Sequence, residues 1–289
     1  MIPRVTPLMW LQMLLCGALL GLFAAALRAE PAERIVSLGG SVTEIVYALG
    51  EESRLIARDT TSTYPEAARA LPDVGYLRAL SPEGVLSVNP SLILTEEGAG
   101  PPEAMALLRE AAIPVIEVPD GFDGAAVLAK IRAVADTLGV PEKGAALAAD
   151  VSAQLAEAQA GLGKAPPRRV LFILSMQGGR IMAAGQDTAA EGILHLAGAQ
   201  NALTGFSGYK PVTDEAILAA DPQVILMMDR SGDLAITDAM LRASPALSST
   251  TAGQTGAFVR MEGMALLGFG PRLPQTVRAL AAALARTAG

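Results

Sequence analysis

A repeat inside the chain narrows the fold more than any other feature. Ser81-Pro82-Glu83-Gly84-Val85-Leu86-Ser87-Val88-Asn89-Pro90-Ser91-Leu92-Ile93-Leu94 aligns without a gap with Thr213-Asp214-Glu215-Ala216-Ile217-Leu218-Ala219-Ala220-Asp221-Pro222-Gln223-Val224-Ile225-Leu226, each residue lying 132 positions after its counterpart. Both copies carry a hydroxyl residue suited to capping a helix, a glutamate in the first turn, an apolar pair, Asn or Asp before proline, and an apolar strand. Two copies of such a unit imply two related βα lobes. The cleft between lobes is then the default place for a ligand.

The surrounding chain fits that plan. Arg34-Ile35-Val36-Ser37-Leu38 reads as a strand, Gly39-Gly40 as a turn, and Ser41-Val42-Thr43-Glu44 as a capping box that starts a helix. Strands at Leu55–Ala57, Pro90–Leu94 and Val115–Val118 alternate with helices from about Pro82, from Glu103 to Ala112 and from Gly124 to Leu138. Alternation of this kind implies a parallel sheet with ligands outside its carboxyl ends. After Pro166-Pro167 the pattern begins again: Arg169–Leu174 matches the opening strand, Gly178-Gly179 the glycine turn, and Thr188–Leu196 the helix.

Between the halves, residues from Pro141 to about Gly161 show no strand signal, only Ala-rich helix former. About twenty helical residues reach roughly 30 Å, enough for a rigid strut between lobes; a long helix lying on one compact domain is the alternative. The expected organisation is a leader over residues 1–29, an N-terminal lobe over 30–140, a connecting helix over 141–164 and a C-terminal lobe over 165–289. The fold class is α/β: two lobes with mainly parallel sheets, joined by one long helix.

The leader is a different material from the rest. Arg4 precedes an almost unbroken apolar run from Leu8 to Ala26, and small residues follow before Glu30-Pro31, which reads as a cleaved secretory signal. An uncleaved anchor is the alternative. The only cysteine, Cys16, lies in this run, so cleavage leaves a chain without disulfide, zinc-cysteine site or cysteine nucleophile. Losing Arg4 and Arg28 leaves 20 basic residues against 29 acidic ones. That balance disfavours nucleic acid and anionic lipid as partners.

Chemistry concentrates in Leu71-Pro72-Asp73-Val74-Gly75-Tyr76-Leu77-Arg78-Ala79-Leu80, where Pro and Gly mark a loop before the helix that Ser81-Pro82 opens. Tyr76 and Arg78 therefore sit on irregular backbone, free to face a ligand. A phenol is a weak acid, with a reference pKa of about 10, but a neighbouring cation favours the phenolate, a hard anionic ligand suited to ferric iron. Tyrosinate is one of the few side chains that hold haem iron. The bland alternative is an ordinary surface pair.

Taken together, several pieces in this order resemble a known family: Asp59-Thr60-Thr61-Ser62-Thr63-Tyr64-Pro65, Val74 to Gly84, Ala183-Ala184-Gly185 with Thr188-Ala189-Ala190, Gly208-Tyr209-Lys210-Pro211, and Leu266-Leu267-Gly268-Phe269-Gly270-Pro271-Arg272. Over nearly all of residues 34–289 the chain resembles the periplasmic substrate-binding proteins of bacterial ABC importers whose lobes are joined by one long helix, and among them the haem (hemin) carriers. The resemblance implies ferric haem (protoporphyrin IX) as transported ligand, Tyr76 as its axial ligand, and Arg78 as the group that holds the phenolate. It also implies that Glu83 and Glu215, one per lobe, dock on arginines of the permease; helix-start carboxylates favoured by the macrodipole are the local reading of the same residues. Lys210, Tyr209, Arg230 and Arg58 are expected at the propionates or the rim.

One departure matters. Some members add a histidine near the loop that here reads Ser175-Met176-Gln177. A thioether prefers softer metal, so Met176 is expected to line the site without ligating ferric iron, giving one five-coordinate haem. The only histidine, His195, stands in an apolar helix and is expected to pack there. The protein is expected to be a periplasmic monomer and not an enzyme: no Gly-x-Ser-x-Gly elbow or Walker-type phosphate loop is present. A siderophore or cobalamin carrier is the alternative cargo reading. Zinc and manganese carriers need several histidines.

Overall fold

The computed structural model describes residues 34–163 and 166–287; the expected leader, with Cys16 and Trp10, lies outside the described residues. Strands β1 (Ile35–Leu38), β2 (Leu55–Arg58), β3 (Leu92–Glu96) and β4 (Val115–Val118) form a wholly parallel sheet in the order β2-β1-β3-β4. Helices α1 (Gly40–Ala48), α2 (Pro82–Leu86), α3 (Pro102–Glu110) and α4 (Gly124–Thr137) connect and cover it. All four residues of β1 are buried, as the central strand of a parallel sheet covered on both faces should be.

The long helix α5 (Pro141–Ala160) leads to the second lobe. Its sheet runs β10-β9-β5-β6-β8, from β5 (Arg169–Gln177), β6 (Arg180–Ala184), β8 (Tyr209–Val212), β9 (Val224–Asp229) and β10 (Phe258–Glu262), with the two-residue β7 (Gln200–Asn201) beside β5. Its helices are α6 (Ala189–Leu196), α7 (Asp214–Ala220), α8 (Asp238–Ala243), α9 (Pro245–Ser249), α10 (Thr251–Thr255), α11 (Gly263–Leu267) and α12 (Leu273–Arg286).

The repeat survives in three dimensions at single-residue resolution. Ser81 accepts the Gly84 N–H at the start of α2, and Thr213 accepts the Ala216 N–H at the start of α7. Asn89 and Asp221 both take positive φ, 52° and 37°, where a short polar side chain tolerates the left-handed region. Strands β3 and β9 begin at Leu92 and Val224 and pair in parallel with β1 and β5.

Two local expectations are corrected. The glycine turn at Gly178-Gly179 is present but leads into a strand before the expected helix; with φ of 55° and 77° it closes a hairpin in which β5 and β6 run antiparallel, and β8 joins β6 antiparallel as well. Two successive residues at positive φ suit a two-residue hairpin turn, so the second sheet is mixed. The capping box at Ser41 is absent too. Helix α1 starts at Gly40 behind Gly39 with no side-chain cap, and its polar residues turn inward: Ser41 donates to Glu96, Thr43 bonds Ser37 and Ser62, and Glu44 reaches Arg272.

Helix α5 touches both halves. Against α4, a methyl group on Gly144 would stand 2.2 Å from the Ala135 Cβ, so the approach requires glycine. Towards α12, the Gln154 amide oxygen accepts from Gln275 at 3.1 Å and its carbonyl from Arg278 at 3.3 Å. Gly144→Ala should lower stability by roughly 1–3 kcal/mol, the range for overpacking a tight contact, readable in the denaturant midpoint.

The lobes also meet directly along a seam. Glu44, on α1, accepts from the backbone N–H and the Nε of Arg272, both at 2.9 Å, and the Arg272 guanidinium lies 3.6 Å from the centre of the Tyr64 ring. Phe122 meets Phe269 edge-on at 5.7 Å. Burial pushes the Glu44 carboxyl up, against the opposing pull of Arg272.

Candidate functional site

Tyr76 is held from both sides. Ahead of it, the loop lies along the end of β2: the Arg58 N–H donates to the Pro72 carbonyl, Val74 N–H to the Arg58 carbonyl, and Thr60 N–H to the Gly75 carbonyl. Behind it, the Ala79 N–H returns to the Tyr76 carbonyl at 2.8 Å, while Leu77 and Leu80 exchange backbone bonds with Gly100. Val74, Leu77 and Leu80 are buried in the first lobe's core; Tyr76 between them is 47% exposed. An apolar side chain so placed would sink inward, so the loop is a buried frame presenting one phenol. Arg78 is exposed two residues on, its Nη1 3.6 Å from where a Gly98 methyl would stand.

The second lobe supplies a different phenol. Tyr209 stands on β8, half-buried, its ring edge-on to Phe172 at 6.3 Å. Burial pushes its phenol above the ordinary pKa, and the Ala190 backbone N–H, the Thr188 side chain and the positive charge of Arg78 pull the other way. Arg78, from the first lobe, is near enough for its charge to act on Tyr209 in the second. Lys210, next along β8, is exposed with its Nζ 5.8 Å from the centre of the Phe206 ring.

The remaining expected residues fall in varied places. Met176, in β5, is half-buried and packs against the second lobe's core of Leu171, Ile173 and Ile181. Arg58 is engaged by Asp73 at 2.7 Å and by the Asp59 carbonyl at 3.0 Å, with little of its side chain exposed. Arg230 is exposed past the carboxyl end of β9, its Nη2 3.5 Å from the Met228 sulfur. His195 does not pack as expected: the buried stripe of α6 runs through Ala189, Ala190, Ile193 and Leu194, and His195 falls on the exposed side of the last turn.

Glu83 and Glu215 are both exposed, each the second residue of its helix and two places after a capping hydroxyl. The Glu215 carboxyl is held below the ordinary carboxylate value by its own backbone N–H and the Thr213 hydroxyl. It stays an anion.

Sequence reasoning missed the polar floor beside the first sheet. Asp59, fully buried, accepts from the Gly39 and Thr61 N–H groups and from the Thr61 and Ser62 hydroxyls, and so ties the turn after β1 to the loop leading to Tyr64. Lys130, also fully buried, bonds Asp120 at 2.8 Å and Ser41 at 2.9 Å, with Glu96 at 3.8 Å. Burial raises the Glu96 carboxyl, and Lys130 opposes it. The signal for Lys130 was legible: it stands on the same helical face as Val127, Ile131 and Val134. Among the described residues no group of three or more His, Cys, Asp or Glu could hold a bare metal ion. A hollow of about 600 Å³ beside the end of α5 and another of about 380 Å³ beside Glu44 and Tyr64 do not include Tyr76.

This arrangement has relatives. The solved periplasmic heme-binding protein BhuT, in complex with two hemes, is 41% identical, with a TM-score of 0.83 over 88% of this chain and 98% of that one. The vitamin B12-binding protein of Vibrio vulnificus (strain YJ016) is 28% identical, matching 73% of this chain and 77% of that protein. The ABC transporter substrate-binding lipoprotein YvrC of Bacillus subtilis (strain 168), itself uncharacterized, is 30% identical over 70% of this chain, and the match spans 65% of YvrC, less than two thirds of its length. The sequence profile of the periplasmic binding protein family matches residues 35–264, across both sheets and the helix between them, and the chain belongs to that family of binding proteins.

Proposed function

We propose that this chain is an exported carrier that captures ferric haem between its lobes through a Tyr76 tyrosinate and delivers it to the permease of an ABC importer. One observation carries the reading: a half-exposed phenol on a loop pegged into the core on both sides, with an arginine two residues away. A phenolate is a strong ligand for ferric iron, and the guanidinium neutralises it without competing for the metal. Tyr209 and Lys210 provide a hydrogen-bonding group and a cation on the opposite wall for the haem edge and propionates. The likeness to BhuT supports the cargo. Glu83 and Glu215 are the docking anions, and the protein works in the periplasm as a monomer without catalysis.

Titration with ferric haem tests this. A saturable one-to-one complex with a high-spin tyrosinate absorption spectrum is expected. The relation to vitamin B12-binding proteins favours cobalamin as the second cargo to try. Saturation by cobalamin, with no tyrosinate band from haem, would reverse the assignment.

A further inference from the structure

We infer that Asp73 is the positioning residue for Tyr76, setting the backbone from which the phenol is aimed. The inference rests on the haem reading above and goes beyond it.

Asp73 stands three residues before Tyr76 and spends both carboxylate oxygens on the loop's anchorage. Its Oδ1 accepts from the Gly75 N–H at 2.9 Å, the amide next to Tyr76, and from the Thr60 hydroxyl at 3.1 Å. Its Oδ2 accepts from Arg58 Nη1 at 2.7 Å. Arg58 and Asp73 also form a parallel backbone bridge, and the Gly75 carbonyl accepts from Thr60. One carboxylate therefore ties the approach to Tyr76 to two residues at the end of β2.

Local conformation explains the need. Gly75 has φ of 108°, a region glycine alone enters freely, and a freely rotating glycine just before a metal ligand would scatter its direction. The Asp73–Gly75 bond is an Asx-type turn that holds this glycine in one conformation. A ligand held in place before the metal arrives loses less freedom on binding, so the carboxylate should act on the haem complex more than on the fold.

The test compares Asp73→Ala and Asp73→Asn with the wild-type full-length protein, with Tyr76→Phe as control. The probe is ferric haem, read as the tyrosinate charge-transfer band and as the rate of haem loss to an excess of apomyoglobin. Alanine removes all three bonds and should speed haem loss by about tenfold while weakening or shifting the band. Asparagine keeps an oxygen for Gly75 and should stay within about threefold of wild type. A wild-type band and rate in the alanine variant overturn the inference, and so does an asparagine variant as impaired as the alanine one. Should Asp73→Ala fail to fold, Gly75→Ala decides. A methyl there meets nothing within 4 Å, so its effect is backbone strain alone. The same spectral change is expected, and its absence overturns the proposal. If wild type itself shows no Tyr76-dependent band, the haem reading has failed, a result distinct from either outcome.

Discussion

Tyr76→Phe should abolish the tyrosinate absorption of the ferric-haem complex and weaken haem binding by at least about 100-fold, because loss of a direct ligand should exceed the 10–100-fold cost usual for its supporting groups. Fold stability should hardly change. The Tyr76 ring is half-exposed, the loop's packing is carried by Val74, Leu77 and Leu80, and its backbone bonds do not involve the phenol. The variant therefore separates ligation from folding: equal thermal midpoints with a lost spectrum assign the iron bond to this oxygen. An unchanged spectrum would point to another ligand. Residual weak binding in the variant would report what Arg78, Tyr209 and Lys210 contribute through the porphyrin edge.

Reversing the two proposed docking charges, Glu83→Lys with Glu215→Lys, should eliminate haem import in membranes carrying the intact transporter, while haem affinity stays within about twofold of wild type. Exposed charges usually matter little to stability, and a lysine near a helix start is only mildly unfavourable. Across an interface the same change sets like charges face to face, which costs far more. The two positions match in the repeat and follow equivalent hydroxyl caps, Ser81 and Thr213, so each single reversal should impair import and the double should end it. Transport in reconstituted vesicles and haem titration of the purified variant check the two halves of the claim. Affinity that collapses along with import would move these glutamates out of the docking role.

The larger architecture was legible because it rests on repetition and period. The 132-residue spacing announced two lobes, and the Ala-rich stretch announced α5, found at Pro141–Ala160. What stayed hidden depended on long-range partners. Ser41-Val42-Thr43-Glu44 has the spacing of a capping box, yet Glu96, Ser62 and Arg272, far away in sequence, claim those side chains. Gly178-Gly179 resembles Gly39-Gly40 in letters and differs in φ, so one pair closes a hairpin and the other opens a helix. Of the proposed site, Tyr76 and Arg78 stood out in the sequence by their chemistry. The half-burial of Tyr209 against Phe172 depends on β8 and β5 lying in one sheet, a fact of topology.

The buried seam at Glu44 and Arg272 bears on how cargo leaves. Parting the lobes there would give up the two Glu44–Arg272 bonds and the contact of the guanidinium with the Tyr64 ring in exchange for hydration of both charges. If the proposed docking on both lobes holds, a partner gripping the two halves would have to prise this latch before the lobes could separate.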